Sequence, residues 1–129
     1  MSKRVSFLFG LLALLLVQSV AGDVLVLVHG YASDAGTWER SGVNSALQAY
    51  GWPRAIIPAP NMPEPAQQAV NKSFTVNLPS EAPLLVQANF LRALLDGIRQ
   101  RYADEKLILV GHSAGGVVAR LILLGNNPY

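Results

Sequence analysis

The sequence has no cysteine, only two histidines, and charged residues at just 14% of its 129 positions. Without cysteine there is no disulfide, no thiolate metal site and no lipid-anchored thiol. With two histidines, the choice of a general base is almost closed before any motif is considered. No apolar run reaches the roughly 20 residues that span a bilayer. Hydrophobic residues nevertheless make up 51% of the chain, which is enough for one modest domain with a core and not for two.

Part of that apolar content sits at the start. Lys3 and Arg4 precede a run from Val5 to Leu16 interrupted only by Ser6 and Gly10, and Ser19, Val20 and Ala21 are the small residues a signal peptidase accepts. Residues 1–21 therefore read as a secretory signal peptide cleaved after Ala21, and residues 22–129 as the exported domain portion, periplasmic or extracellular. The alternative is an uncleaved anchor, for which the stretch from Val5 to Val20 is short. Removal of residues 1–21 takes away two of the ten basic residues and none of the eight acidic ones, leaving a formal charge of zero. A neutral domain gives no footing for nucleic acid or an anionic membrane surface, and no membrane span is expected once the signal is removed.

The remaining chain alternates strand and helix signals. "DVLVLV" is a β-branched and leucine run too short for a helix, and reads as a strand buried on both faces; the loop "HGYASDAGTW" follows. Val43, Ala46, Leu47 and Tyr50 recur at helical spacing with Gly51 at the C-terminus, predicting a helix of about three turns. "RAIIP", Arg54 to Pro58, reads as an edge strand between prolines. From Ala59 to Pro79 the chain carries four prolines and three asparagines, and reads as a surface excursion. Ser80 is the expected cap of a helix whose stripe runs Leu84, Ala88, Leu91, Leu95, Ile98, Tyr102. "KLILV" is the third strand, and Gly115 to Leu124 the last helix. This order implies a parallel sheet with right-handed crossovers, and ligands on such sheets bind beyond the carboxyl ends of the strands. "HGY" and "GHSAGG" both fall on that edge.

"LILVGHSAGG" contains G-x-S-x-G, in which a serine sits on a sharp strand-to-helix turn that needs small neighbours at Gly111 and Gly115. Three fixed positions are a weak signal alone; the apolar run before them and the helix after them supply the specificity. Attack by Ser113 on a carbonyl creates an oxyanion, which preorganised donors must meet. The backbone amide of Ala114, next to the nucleophile, is one candidate, and that of Tyr31, just past "HG", is the other.

"VLVHGY" followed by "ILVGHSAGGVVAR" resembles the α/β-hydrolase superfamily, and within it the bacterial secreted lipases and esterases. The resemblance implies an α/β-hydrolase fold, a parallel sheet with flanking helices, of which three strands are present here, arranged side by side as second, first, third. It implies a serine hydrolase acting on ester or lipid substrates through an acyl-enzyme on Ser113, with the Tyr31 and Ala114 amides as the oxyanion hole and no metal or organic cofactor. His29, in the "HG" of such proteins, is implied to be structural. An alanine follows the nucleophile where many lipases carry methionine or glutamine.

The base is missing. His112 precedes Ser113 in a turn that directs its side chain away from the hydroxyl, and His29 contributes through its backbone more than its ring. In this superfamily the order is nucleophile, acid, histidine, yet no Asp, Glu or His occurs between Ser113 and Tyr129. The expectation is therefore that residues 22–129 are the N-terminal part of a longer domain, with acid and base beyond residue 129. As a fragment it is expected to be inactive, and its "KLILV" edge is expected to lie open. The rival readings are a non-catalytic binding protein on the same fold, and acyl transfer to an acceptor other than water.

Overall fold

The computed structural model describes residues 22–56 and 70–125. The segments expected to be the signal peptide and most of the proline-rich excursion lie outside them. Three strands, β1 (Asp23–Val28), β2 (Lys72–Val76) and β3 (Lys106–Gly111), form one parallel sheet in the order β2-β1-β3. Four helices accompany them: α1 (Thr37–Arg40) and α2 (Val43–Ala49) after β1, α3 (Leu84–Arg101) after β2, and α4 (Ala114–Leu124) after β3.

The alternation of β1 explains the layering. Val24, Val26 and Val28 face one side and pack with Leu91, Leu95 and Ile98 of α3 and Val118 of α4. Leu25 and Leu27 face the other and pack with Trp38, Val43, Leu47 and Trp52. A strand with apolar residues on both faces needs cover on both, and each Val or Leu so buried contributes about 1.5–3 kcal/mol relative to exposure. The result is a three-layer arrangement with β1 at its centre.

The α3 stripe behaves as its spacing predicts: Ala88, Leu91, Leu95 and Ile98 are buried, whereas Leu84 at the helix start is 39% exposed. Pro83 occupies the N-cap position, so Ser80 does not cap the helix. Ser80 instead accepts a hydrogen bond from the Ser33 amide at 3.2 Å, while its own carbonyl accepts from Gln87 Nε2. Two arginines in the last turn, Arg99 and Arg101, sit where the helix dipole favours cations. The helix α2 is shorter than its apolar spacing suggests, seven residues. It begins after Gly42 (φ 77°) and is followed by Gly51 (φ 86°), both left-handed, and Tyr50 is 85% exposed. A short helix, α1, occupies what the sequence suggests is loop.

The second strand is not where "RAIIP" places it. Arg54 forms only an isolated bridge to Ser73, flanked by Ser73 N–H to Pro53 O (2.9 Å) and Ala55 N–H to Ser73 O (2.8 Å). Proline at position 53 supplies an acceptor and no donor, so the pairing cannot extend into a ladder on that side. The strand is "KSFTV", within the stretch read as a surface excursion. Its polar residues are buried for reasons no periodicity shows. Lys72 places its ammonium on Glu105 and 4.5 Å over the Tyr102 ring, and Ser73 Oγ donates to the Trp52 and Pro53 carbonyls. The predicted order second, first, third holds with this corrected strand.

Register aligns the strand ends. Val28 is opposite Val76 on one side and Gly111 on the other, so the loops leaving all three strands emerge at one edge. Along its second side β3 has no strand partner among the described residues. A cleft of about 720 Å³ runs there, lined by Arg92, Asp96, Arg99, Leu107, Leu109 and Ile122.

Candidate active site

The elbow between β3 and α4 turns on Ser113, whose φ of 55° and ψ of −125° lie outside the regions open to most side chains. Such a conformation costs on the order of 1–3 kcal/mol and persists only when its surroundings over-determine it. They do here. His112 N–H donates to Val28 O (3.0 Å), Gly115 N–H to His112 O (2.9 Å) and Gly116 N–H to Ser113 O (2.9 Å). The turn is also packed too closely for side chains: a Cβ on Gly115 would lie 2.3 Å from His29 O, and one on Gly111 would lie 2.4 Å from Gly116 Cα. Ser113 itself is exposed to solvent.

The loop after β1 approaches this turn. A Cβ on Gly30 would sit 3.2 Å from both Ser113 Cβ and His112 O. Tyr31 follows, its side chain largely exposed, and Ala32 takes a left-handed φ of 48°. Neither the Tyr31 amide nor the Ala114 amide donates to an acceptor among the described residues, whereas the next two amides of α4 are already engaged. The two amides named as oxyanion donors are therefore uncommitted, one next to Ser113 in sequence and one on the loop whose Gly30 approaches it.

The β1 loop is anchored to the loop after β2. His29 is fully buried; its Nε2 accepts from the Leu78 amide at 2.9 Å and its Nδ1 faces Gly30 O at 3.0 Å. An amide can only donate, so Nε2 carries no proton and Nδ1–H donates to the carbonyl. Both ring nitrogens are used, which leaves the ring none to receive a proton from Ser113. Ala35 N–H donates to Asn77 Oδ1 (3.2 Å), and Ser33 Oγ and Thr37 Oγ1 share a hydrogen bond of 2.6 Å. Further along, Arg40 hydrogen-bonds Asp34 and holds its carboxyl below its usual range. Glu39 is lowered by hydrogen bonds from Asn44 and then Arg54. Neither acid is oriented on a histidine.

His112 points elsewhere as well. Its ring meets Trp38 of α1 nearly perpendicularly, the centroids 6.5 Å apart. The structure thus brings Ser113, Ala114, Gly111, Gly115 and Tyr31 together at one edge and engages both histidines in other contacts. Gly30, Trp38, Asn77 and Leu78, which support this arrangement, were not singled out by sequence. Only the place of Gly30 as the glycine of "HG" carried any signal for them.

A model of the alpha/beta hydrolase family matches residues 25–126. The chain belongs to the alpha/beta hydrolase family. No curated protein and no solved structure matches it. Members of this family are usually hydrolytic, and the matched region runs from β1 through α4, covering both loops of the site. As an alpha/beta hydrolase sheet the three parallel strands with their flanking helices are incomplete, in keeping with the open side of β3. Among the described residues of this alpha/beta hydrolase, no helix is long and apolar enough to cross a membrane.

Proposed function

We propose that the protein is an exported serine hydrolase of carboxylic esters, of lipase or esterase type, with Ser113 as its nucleophile. The observation that carries the reading is the strained backbone of Ser113 (φ 55°), held at the mouth of β3 and followed by the uncommitted Ala114 amide. Strain of this kind, at an exposed serine against a second glycine loop, suits a nucleophile presented to a substrate carbonyl.

In the proposed reaction Ser113 Oγ bonds to the ester carbonyl carbon while a base takes its proton, and the carbonyl oxygen becomes an oxyanion. The Tyr31 and Ala114 amides donate to it; one such donor is worth about 10²–10³ in rate. Collapse expels the alcohol, which takes the proton from the base, and leaves an acyl-serine. Water then attacks the acyl carbon, the base again taking the proton, and the acid product departs as Ser113 is restored. His29 is engaged through both nitrogens and His112 lies against Trp38. The proposal therefore takes the base, and the acid that orients it, from sequence beyond residue 129. Residues 1–21 act in it as a cleaved signal, and the substrate is a lipid or other acyl ester.

A fluorophosphonate probe on the full-length protein tests the reading. Covalent labelling at Ser113, abolished by Ser113→Ala, is expected; a folded protein that remains unlabelled overturns it.

A further inference from the structure

Resting on Ser113 as nucleophile, we propose that His112 is a positioning residue whose ring, braced against Trp38, sets the distance between the elbow and the Gly30–Tyr31 loop. Four contacts meet at this one residue. Its amide is tied to the end of β1 through Val28 O, and its carbonyl receives the Gly115 amide at the start of α4. Its ring stands nearly perpendicular to Trp38, at 86° and 6.5 Å between centroids. Its carbonyl and Nδ1 flank Gly30, 3.2 and 3.4 Å from where a Cβ on that glycine would be.

Together the contacts reach three elements. β1 carries the loop with one uncommitted amide, α4 carries the other, and α1 supplies Trp38, which is 7% exposed and packed with Leu25 and Leu27 under the sheet. Trp38 therefore has little freedom to yield. The perpendicular arrangement places the rings within the 4.5–7 Å range where edge-to-face pairs attract. His112 is exposed, but one edge of its ring meets a core residue and its Nδ1 lies beside Gly30, so the ring acts as a spacer. Its removal lets the Gly30 loop and the elbow close on each other, and the two amides no longer converge on one oxygen. The ring acts here by shape, and it takes no proton in the reaction.

That last point makes the test selective. In the full-length protein, His112→Ala is expected to slow fluorophosphonate labelling of Ser113, and kcat for a short p-nitrophenyl ester, by about 10–100-fold with KM little changed, as for a displaced oxyanion donor. His112→Phe, which keeps a planar ring and cannot exchange a proton, restores the rate to within about three-fold of wild type. His112→Asn keeps polarity without a ring; it stays slow and reads the same contact if the alanine variant does not fold. Trp38→Leu gives a similar loss, and the double variant loses no more than either single one, as coupled neighbours do. A folded His112→Ala or His112→Asn that labels at the wild-type rate overturns the proposal, as does a His112→Phe as slow as the alanine variant. Wild-type protein that fails to label at Ser113 overturns the nucleophile reading itself, a result distinct from both.

Discussion

Gly30 and Ser113 face each other across the carboxyl edge of the sheet with no room to spare: a methyl group on Gly30 would lie 3.2 Å from Ser113 Cβ. The two residues are 83 positions apart in sequence and are brought together because Val28 and Gly111 are register partners on β1 and β3. A methyl there would be tighter than ordinary packing yet short of a collision, so its consequences fall on geometry before stability.

Gly30→Ala is accordingly expected to separate the two loops by a few tenths of an ångström. The rate of Ser113 labelling falls about ten-fold, because small misplacements at a reacting centre are costly, while the urea midpoint changes little. Kinetics of probe labelling set beside a denaturation curve checks both halves.

Gly115→Ala acts differently. Its Cβ would lie 2.3 Å from His29 O and 2.4 Å from Val28 O, which are backbone atoms of β1 and its loop. Neither can swing aside as a side chain would, so the start of α4 must lift from the sheet. A loss of about 1–3 kcal/mol is expected from such overpacking, measured as a lower urea midpoint in the full-length protein.

His29→Ala removes the acceptor of the buried Leu78 amide among the described residues. An unsatisfied buried donor costs about 1–3 kcal/mol, so the variant should unfold at lower urea. If folded, it should still label at Ser113, because in the proposed reaction the ring, engaged through both nitrogens, takes no part in the proton transfer. Loss of labelling in a folded, stable His29→Ala protein would show that the ring is the base after all.

The acids near the β1 loop give a pH signature. Asp34 and Glu39 are both lowered from their usual values, 3.8 and 4.5, the first chiefly by Arg40 and the second by Asn44 and then Arg54. A depressed carboxylate contributes stability that is present above its unfolded pKa and lost as pH falls through its folded one. Both groups are exposed, so the contribution is small and screened by salt. Carboxyl titration by NMR should place both midpoints below those values, and Arg40→Ala should raise Asp34 toward 3.8 and leave Glu39 in place.

What the sequence revealed and what it hid divide along physical lines. β1, β3 and the α3 stripe were legible because their apolar residues follow the period of the element they form, and the elbow because its glycines answer a steric demand. β2 was hidden: Lys72 and Ser73 are buried by partners distant in sequence, Glu105 and the Trp52 carbonyl, which no local pattern encodes. "RAIIP" misled because Arg54 and Ala55 lie beside β2 without joining its ladder, and Ile56 is 83% exposed. Ser80 looked like a cap and instead serves the Ser33 amide, 47 positions away. The serine could be read from its own neighbours, whereas the Trp38–His112 contact required the third dimension.

The central position of β1 has a mechanical corollary. Val24 to Val28 have a strand on each side and a hydrophobic layer on each face, so their amides should be the slowest in the chain to exchange with deuterium. β3 is paired on one side alone among the described residues, and its amides should exchange sooner. The Gly30 loop thus hangs from the stiffest beam and Ser113 from the more compliant one. Breathing of β3 should move Ser113 while the Gly30 loop stays still, and any contact that stiffens the open flank of β3 should be felt at the elbow as a narrower spread of Ser113 positions.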